Sequence, residues 1–242
     1  MSKICVLTIA TNKYLQFLDR LLENIAENFL EDHEIHCLLF TDHEITETSE
    51  NVTVHNIKHE NWPMPTLKRY NYFVEKKDFI LSFDYCYYFD VDMAVIDKVG
   101  EEIFSDGIVA TMHPWQSFYP KEKRSYDRNP NCSAYIAEGE EPELYYAGGF
   151  NGGNTEKFIE MSEIIADRVT KDLEKGVIAK WHDESHLNRY LLDNPASISL
   201  TPNYCFDEQF LNKNVYLKED EPYPYQEPKI VALKKNYNEL RT

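Results

Sequence analysis

The sequence predicts an α/β fold whose parallel sheet opens as strand, helix, strand. Three observations predict it. Residues 3–10 form an apolar run with β-branched side chains, the pattern of a strand covered on both faces. Leu15, Leu18, Leu22, Ile25 and Phe29 then recur on one helical face. Residues 34–41 return as a second strand and 51–57 as a third, a βαβ beginning. Thr11 and Asn12 are placed to cap the first helix. In sheets of this kind ligands sit beyond the carboxyl ends of the strands, where residues 8–14 would lie.

Pro63 and Pro65 break the chain before a helix carrying Leu67, Tyr70, Phe73 and Val74. Lys68 and Arg69 fall in its first turns, where the helix dipole disfavours cations. They are either solvated surface or a pair aimed at phosphate. Residues 85–89 are an aromatic run that reads as a buried strand. It leads into Asp90 and Asp92, two apart, so that both carboxylates point to one side of an extended backbone. Two hard oxygen donors at a strand end suit Mg²⁺ or Mn²⁺ carrying substrate phosphates. The alternative is a strand end turning into solvent.

A further strand, 107–113, ends in His113-Pro114-Trp115, and residues 116–143 are a long excursion of little periodicity, the length of loop that binds or moves. Four of the eight glycines fall in 145–153, which marks close approach of a ligand or another backbone or, as Gly152 and Gly153 are read, a bulged strand and a tight turn. Asn154 caps an amphipathic helix reaching about Glu174, with Phe158, Met161, Ile165 and Val169 as core. Trp181-His182-Asp183-Glu184-Ser185-His186 opens the next helix, which carries Leu187, Tyr190 and Leu191. Its carboxylates either complement the dipole, with Ser185 capping, or do chemistry as a base or nucleophile beside a substrate-positioning neighbour. Residues 229–242 carry Lys234, Lys235 and Arg241, a loose terminus or a segment closing over an anion.

Composition narrows the function. The 242 residues fit one large domain or two small ones and hold 42 acidic against 25 basic residues, a formal charge of −17. That field repels nucleic acid and anionic membranes, so a bound phosphate needs a local cation or a metal. The five cysteines are widely spaced and form no Cys-x-x-Cys pair. Cys5, Cys37 and Cys86 lie in strand-like runs, as reduced, packed thiols do. No leader and no 18-residue apolar span occurs, so the expected location is cytoplasmic, without a membrane anchor.

Taken together the segments resemble glycosyltransferase family 6, the blood-group A/B transferases and α-1,3-galactosyltransferases. The resemblance rests on Phe-Asp-Val-Asp-Met at 89–93, Met-His-Pro at 112–114, Ser-Tyr-Asp-Arg at 125–128 and Ala-Tyr-Ile at 134–136. Tyr-Tyr-Ala-Gly-Gly-Phe at 145–150, Trp-His-Asp-Glu-Ser-His-Leu-Asn at 181–188, Tyr-Leu-Leu at 190–192 and Thr-Pro-Asn-Tyr at 201–204 complete it. It implies a GT-A fold, a Rossmann-like nucleotide-binding sheet with an acceptor-binding lobe, in one domain over 1–242. Residues 1–115 would mainly bind UDP, 116–228 would form the acceptor and catalytic side, and 229–242 would be a tail over the donor. The implied reaction is retaining transfer of GalNAc or Gal from its UDP sugar to the 3-hydroxyl of a galactoside, fucosylated in the blood-group members.

Residue by residue, the resemblance makes Asp90 and Asp92 the ligands of Mn²⁺, with Mg²⁺ the alternative ion. Glu184 becomes the carboxylate beneath the anomeric carbon, as nucleophile or as stabiliser of an oxocarbenium-like transition state. Tyr14, Arg69, Ala147, Gly148, Gly149 and Asp183 join the aspartates as donor contacts, with Lys235 and Arg241 as the diphosphate clamp. His113, Ser125, Trp181 and Asp207 fall at acceptor-side positions. Glycine at 149 leaves room for an N-acetyl group, which inclines the donor towards UDP-GalNAc. Unlike the vertebrate enzymes the chain shows no cytoplasmic tail, anchor or stem. Unlike bacterial members that carry asparagines, it keeps both aspartates, so metal dependence is expected. Two other readings compete: a sugar- or nucleotide-binding module without turnover, and a zinc hydrolase using His182 and His186. The zinc motif needs Glu directly after the first His, and here Asp183 stands there.

Overall fold

Strand β1 (Lys3–Ile9) is buried from Ile4 onwards and is the axis of the molecule. In the computed structural model, which describes residues 1–213, 216–218, 221–222, 224–225 and 227–240, it pairs in parallel with β2 (Glu34–Thr41). On its other side it pairs in parallel with β4 (Tyr85–Asp90), and β2 continues in parallel to β3 (Val52–Asn56). Beyond β4 comes β7 (Tyr146–Asn154), antiparallel both to β4 and to β6 (Ile108–Met112), and β8 (Ile198–Leu200) closes the edge parallel to β6. The order is β3-β2-β1-β4-β7-β6-β8. This large, mostly parallel sheet with helices packed on it is the α/β architecture the sequence predicts, and it agrees with a GT-A-like fold.

The period of two along β1 divides its side chains between two cores. Ile4 and Val6 join Leu18, Leu21 and Ile25 of helix α1 (Leu18–Asn28) and the ring of Phe29. Cys5, Leu7 and Ile9 face the opposite core. That core holds Tyr70 and Phe73 of α3 (Arg69–Glu75), Phe158, Met161 and Ile165 of α5 (Thr155–Glu174), and Leu187 and Leu191 of α6 (His182–Asp193). Burial of both faces explains why these strands read as continuous apolar runs. All five cysteines are buried and free.

A second sheet orders β5 (Met93–Val95), β12 (Ile230–Ala232) and β9 (Phe206–Asp207) as β5-β12-β9. It brings the C-terminal segment against the residues that follow Asp92. A two-stranded ribbon, β10 (Tyr216–Lys218) with β11 (Glu221–Pro222), lies between β9 and β12 in sequence. The last helix of the described residues is α7 (Tyr237–Leu240). No helix of the described residues is long and apolar enough to cross a membrane.

Three elements differ from the expectation. The first helix begins as a 3-10 turn over Asn12–Phe17 and becomes α-helical only at Leu18, with no side-chain cap from Thr11. Asn12 sits at φ 50, in the left-handed region, which starts the segment as a turn. The helix expected after Pro65 is broken into α2 (Met64–Leu67), α3 and α4 (Lys77–Ile80), with non-helical backbone at Lys68 and Lys76. The break at Lys68 separates the two neighbouring cations. Lys68 pairs with Glu60, at 2.7 and 2.9 Å from its two carboxylate oxygens, while Arg69 turns inwards. Finally, Gly152 and Gly153 make room for neighbouring backbone. A Cβ at Gly152 would stand 2.2 Å from the Cys86 carbonyl oxygen, and one at Gly153 2.1 Å from that of Gly107. The cap by Asn154 forms as expected, its Oδ1 accepting the Lys157 N–H at 3.2 Å.

Candidate active site

The parallel strands β1 and β4 end at one cleft of about 370 Å³, the place where ligands sit in sheets of this kind. β4 brings Tyr88 and Asp90 there on the same face. The Tyr88 hydroxyl donates to Asp90 Oδ1 at 2.6 Å, and Arg69 Nη2 donates to the same oxygen at 3.0 Å. Arg69 is only 3% exposed. Its guanidinium lies 4.3 Å over the Tyr88 ring, donates from Nη1 to the Gly148 carbonyl at 2.8 Å and stands 3.1 Å from Asp183 Oδ2. One cation therefore ties β4, β7 and α6 together. Burial raises the Asp90 carboxyl, but Arg69, Lys235 and the Tyr88 hydroxyl outweigh it and hold Asp90 below the usual carboxylate range.

Asp92 is buried two residues on, and its carboxylate is ion-paired with Lys235 of the C-terminal segment. The same segment is strapped to the backbone there, with Leu233 N–H donating to the Asp92 carbonyl at 2.9 Å. Both aspartates, with hard oxygen donors, line the cleft, and Lys235 already places a positive charge on one of them. The donor set fits a hard divalent cation.

Glu184, in the first turn of α6, is held by two donors. Gly148 N–H donates to Oε2 and the Tyr145 hydroxyl to Oε1, each at 3.0 Å. One turn later Asn188 fastens the helix to β7: its amide donates to the Tyr146 and Glu184 carbonyls at 2.8 and 2.9 Å and accepts the Tyr146 N–H at 2.9 Å. Burial pushes the Glu184 carboxyl up to about 7, against those two donors. Burial also raises Asp183, with Arg69 working against it. Although Asp183 is close to Arg69, its Oδ2 receives no hydrogen bond and is buried, an acceptor open to a donor at the cleft wall.

Gly148 sits at the centre of this packing. A Cβ there would stand 2.7 Å from Asp183 Oδ2 and 3.5 Å from Glu184 Cβ. We expect Gly148→Ala to displace both carboxylates and to lower about 100-fold the transfer activity that the family resemblance implies, the cost of misplacing reacting groups by about 1 Å. A thermal-unfolding scan of the same variant separates that effect from global loss of fold.

A family model described as Glycosyltransferase family 6 matches residues 2–242 of this chain. The chain belongs to glycosyltransferase family 6. It is similar to histo-blood group ABO system transferase 1 of Rattus norvegicus, 32% identical over 244 residues, covering 96% of this chain and 66% of the relative. It is similar also to globoside alpha-1,3-N-acetylgalactosaminyltransferase 1 of Gallus gallus, 28% identical over 253 residues, covering 98% and 69%. A bacterial relative, O-antigen biosynthesis glycosyltransferase WbnI of Escherichia coli, is 29% identical over 216 residues, covering 86% and 89%. The chain thus spans about two thirds of the length of the two animal relatives.

In this family 6 chain the fold gathers Tyr14, Arg69, Asp90, Asp92, Gly148, Gly149, Trp181, Asp183, Glu184 and Lys235 around the cleft. Ala147 lies beneath it in the core. Ser125 stands behind Trp181, accepting the indole N–H at 2.9 Å. His113 is off the cleft. Its Nδ1 accepts the Trp115 and Gln116 N–H groups, each at 3.1 Å, and burial lowers its pKa to about 4. It is therefore neutral, with its proton on Nε2, and its ring meets Tyr145 edge-on at 5.6 Å. Asp207 caps a turn by accepting Gln209 N–H at 3.0 Å. Arg241 lies outside the described residues.

The two histidines of the zinc-hydrolase reading part company. His182 lines the cleft, 4.9 Å from the Trp62 ring, whereas His186 is buried beside Cys132 and Asp172. Four contributors escape a reading of the sequence: Trp62 in the cleft wall, Tyr88 on Asp90, Tyr145 on Glu184, and Asn188 as the staple. Strand parity could have found Tyr88, which shares a face with Asp90. The others depend on pairings between distant segments.

Proposed function

We propose that this protein is a metal-dependent retaining glycosyltransferase that moves GalNAc or Gal from its UDP sugar to the 3-hydroxyl of a galactoside, making an α-1,3 link. The observation that carries this reading is the convergence on one cleft of Glu184, of the Asp90–Asp92 pair and of Lys235. The uridine lies along the β1 end, beside Thr11, Asn12 and Tyr14. Asp90 and Asp92 would hold a Mn²⁺ or Mg²⁺ ion, which would supply charge neutralisation for the leaving diphosphate. Lys235, paired with Asp92 here, would meet that diphosphate, and Arg241, outside the described residues, is the second cation of the clamp that the family resemblance implies. Arg69 holds Asp90 ionised, opposes the rise that burial imposes on Asp183 and orients both, and Oδ2 of Asp183 accepts a hydroxyl of the donor sugar. Glu184 faces the anomeric carbon, pinned by Gly148 and Tyr145, as nucleophile or as the charge that stabilises an oxocarbenium-like centre.

The acceptor galactoside, with or without fucose, enters on the Trp181 side, where Ser125 accepts the indole N–H, with His113 and Asp207 the further acceptor positions that the family resemblance implies. For the donor, Gly149 is the position to watch. A Cβ there would stand 3.2 Å from Met93 Sδ and 3.3 Å from Asp90 Oδ2, so even one methyl presses on a metal ligand. Glycine at this point favours UDP-GalNAc, within the modest discrimination of about 1–3 kcal/mol that one small group supplies. With five buried free thiols, the protein is assigned to the cytoplasm.

The test is UDP release from UDP-GalNAc and UDP-Gal, with Mn²⁺ or EDTA, and with 2′-fucosyllactose or lactose as acceptor. Release that needs both metal and acceptor is expected, faster with UDP-GalNAc, and NMR of the product should show the α-1,3 link. Release undiminished in EDTA overturns the metal role of Asp90 and Asp92. Tight UDP binding without any transfer overturns the catalytic reading in favour of a binding module.

A further inference from the structure

Behind the catalytic helix, away from the cleft, three side chains from three segments meet in the interior. Cys132 comes from the long excursion, Asp172 from the last turn of α5 and His186 from the second turn of α6. All three are buried, and their Sγ, carboxylate oxygen and ring nitrogen lie within 4.8 Å of one another. Cys132 Sγ is 3.3 Å from Asp172 Oδ2, and His186 Nε2 is 3.9 Å from the same oxygen. A zinc ion bound tetrahedrally by S, N and O at ordinary bond lengths sets its donor atoms roughly 3.4–3.6 Å apart. Small side-chain adjustments reach that spacing.

A buried Cys–Asp contact alone could be a hydrogen bond and nothing more. His186 argues otherwise. It is 0% exposed, yet neither Nδ1 nor Nε2 has a hydrogen-bond partner. At 3.9 Å the approach to Asp172 is too long to be a hydrogen bond. A fully buried imidazole with both nitrogens unsatisfied is costly, and a native structure ordinarily provides a partner. Burial lowers its pKa to about 4, so the ring is neutral, the form that ligates metals. Asp172 is already held in the orientation a ligand needs. Ser133 donates to it twice, from N–H to Oδ2 at 2.7 Å and from Oγ to Oδ1 at 2.6 Å.

We infer that Cys132, Asp172 and His186 form a zinc site, separate from the cleft, that clamps the 116–143 excursion onto α5 and α6. The donor chemistry selects the ion. A thiolate and an imidazole suit Zn²⁺ and reject Mg²⁺ and Mn²⁺, which prefer all-oxygen sites. Charge balances among the ligands as well: one thiolate and one carboxylate neutralise the dication, and the nearby Asp127 and Arg168 are of opposite sign. On binding, the Cys132 thiol gives its proton to solvent and its sulfur lone pair to the zinc, with no change of oxidation state. Three protein donors leave the fourth position to water. Because His186 stands two residues after Glu184, the ion fixes the far side of the helix turn that carries the catalytic carboxylate.

The inference does not depend on the transfer reaction, and its test need not use it. The full chain is stripped with EDTA, dialysed and titrated with Co²⁺, and zinc is measured in the protein as purified. Expected are one tightly held zinc per chain and, with Co²⁺, a thiolate-to-metal charge-transfer band that zinc abolishes. The band should persist in Asp90→Asn and vanish in Cys132→Ser. Ser133→Ala should keep the band but weaken zinc binding about 10–100-fold, as loss of a group orienting a ligand does. A wild-type chain with no thiolate band, or a band unchanged in Cys132→Ser, overturns the site. Zinc-edge X-ray absorption on the wild type gives the answer even where a variant fails to fold: one sulfur in the coordination shell supports it, and none overturns it.

Discussion

Glu184→Gln is expected to lower kcat by about 10³-fold or more while UDP and Mn²⁺ still bind. The substitution keeps an acceptor for Gly148 N–H and a partner for the Tyr145 hydroxyl, so the local geometry survives. On the proposed mechanism, what it removes is the negative charge aimed at the developing positive centre. Loss of one preorganised electrostatic contact costs about 10²–10³-fold, and loss of a nucleophile costs more. Calorimetric UDP titration alongside kcat checks the pair of outcomes. Weakened UDP binding with kcat preserved would show Glu184 to be a positioning group for the donor.

The same residue gives a pH signature. In the proposed role Glu184 acts ionised, and burial pushes its pKa up to about 7. Activity should therefore fall as pH drops through an acid limb in kcat/KM, which reports the free enzyme. A divalent cation at Asp90 and Asp92 draws that limb down, so it lies between the ordinary glutamate value and about 7. Stability moves the other way. A carboxyl with a raised pKa in the folded state binds more protons there than when unfolded. Its contribution is present at low pH and is lost as pH rises from the ordinary glutamate value through about 7. Glu184→Gln removes that loss, so urea unfolding at about pH 5 and about pH 8 should show the variant gaining on the wild type at the higher pH.

The framework of this site was legible in the sequence because it depends on local periodicity. The apolar run of β1, the strand end at Asp90 and the helix begun by Asn154 are all short-range patterns, whereas Asp92 reaches the cleft from a turn at 91–92 and not from the extended backbone the sequence predicts. What the sequence hid are properties of juxtaposition. Lys68 and Arg69 are neighbours of like charge, and nothing local says that a break at Lys68 sends one to Glu60 and the other into the interior. Gly152 and Gly153 read as a turn, but their reason is the backbone of Cys86 and Gly107 crossing beside them. Ala147 and Gly149 share a strand face by parity, yet one lies in the core and the other in the cleft wall. His186 looks like a partner for His182 by its i, i+4 spacing, but His182 adopts φ 50 at the helix start and leaves that register. Each of these was set by segments far apart in the chain, which periodicity cannot report.

Arg69→Met should be the most destabilising single change near the site, at about 3–5 kcal/mol. The guanidinium makes four interactions at once: Asp90 at 3.0 Å, the Gly148 carbonyl at 2.8 Å, Asp183 at 3.1 Å and the Tyr88 ring at 4.3 Å. Methionine fills much of the volume but leaves two carboxylates facing each other across a buried wall, with no cation between them. The penalty comes from those stranded charges and not from lost attraction. It follows that Asp183→Asn in the same chain should restore part of the stability, because it deletes one of the stranded charges without the pair being rebuilt. Urea midpoints for the two single variants and the double variant measure this as a coupling energy. Simple additivity would mean that Arg69 acts through packing alone. Arg69→Lys should recover less than its charge suggests, since one ammonium cannot span Asp90, Gly148 and Asp183 as a planar fork does. Full recovery by lysine would reduce the role of Arg69 to that of a point charge.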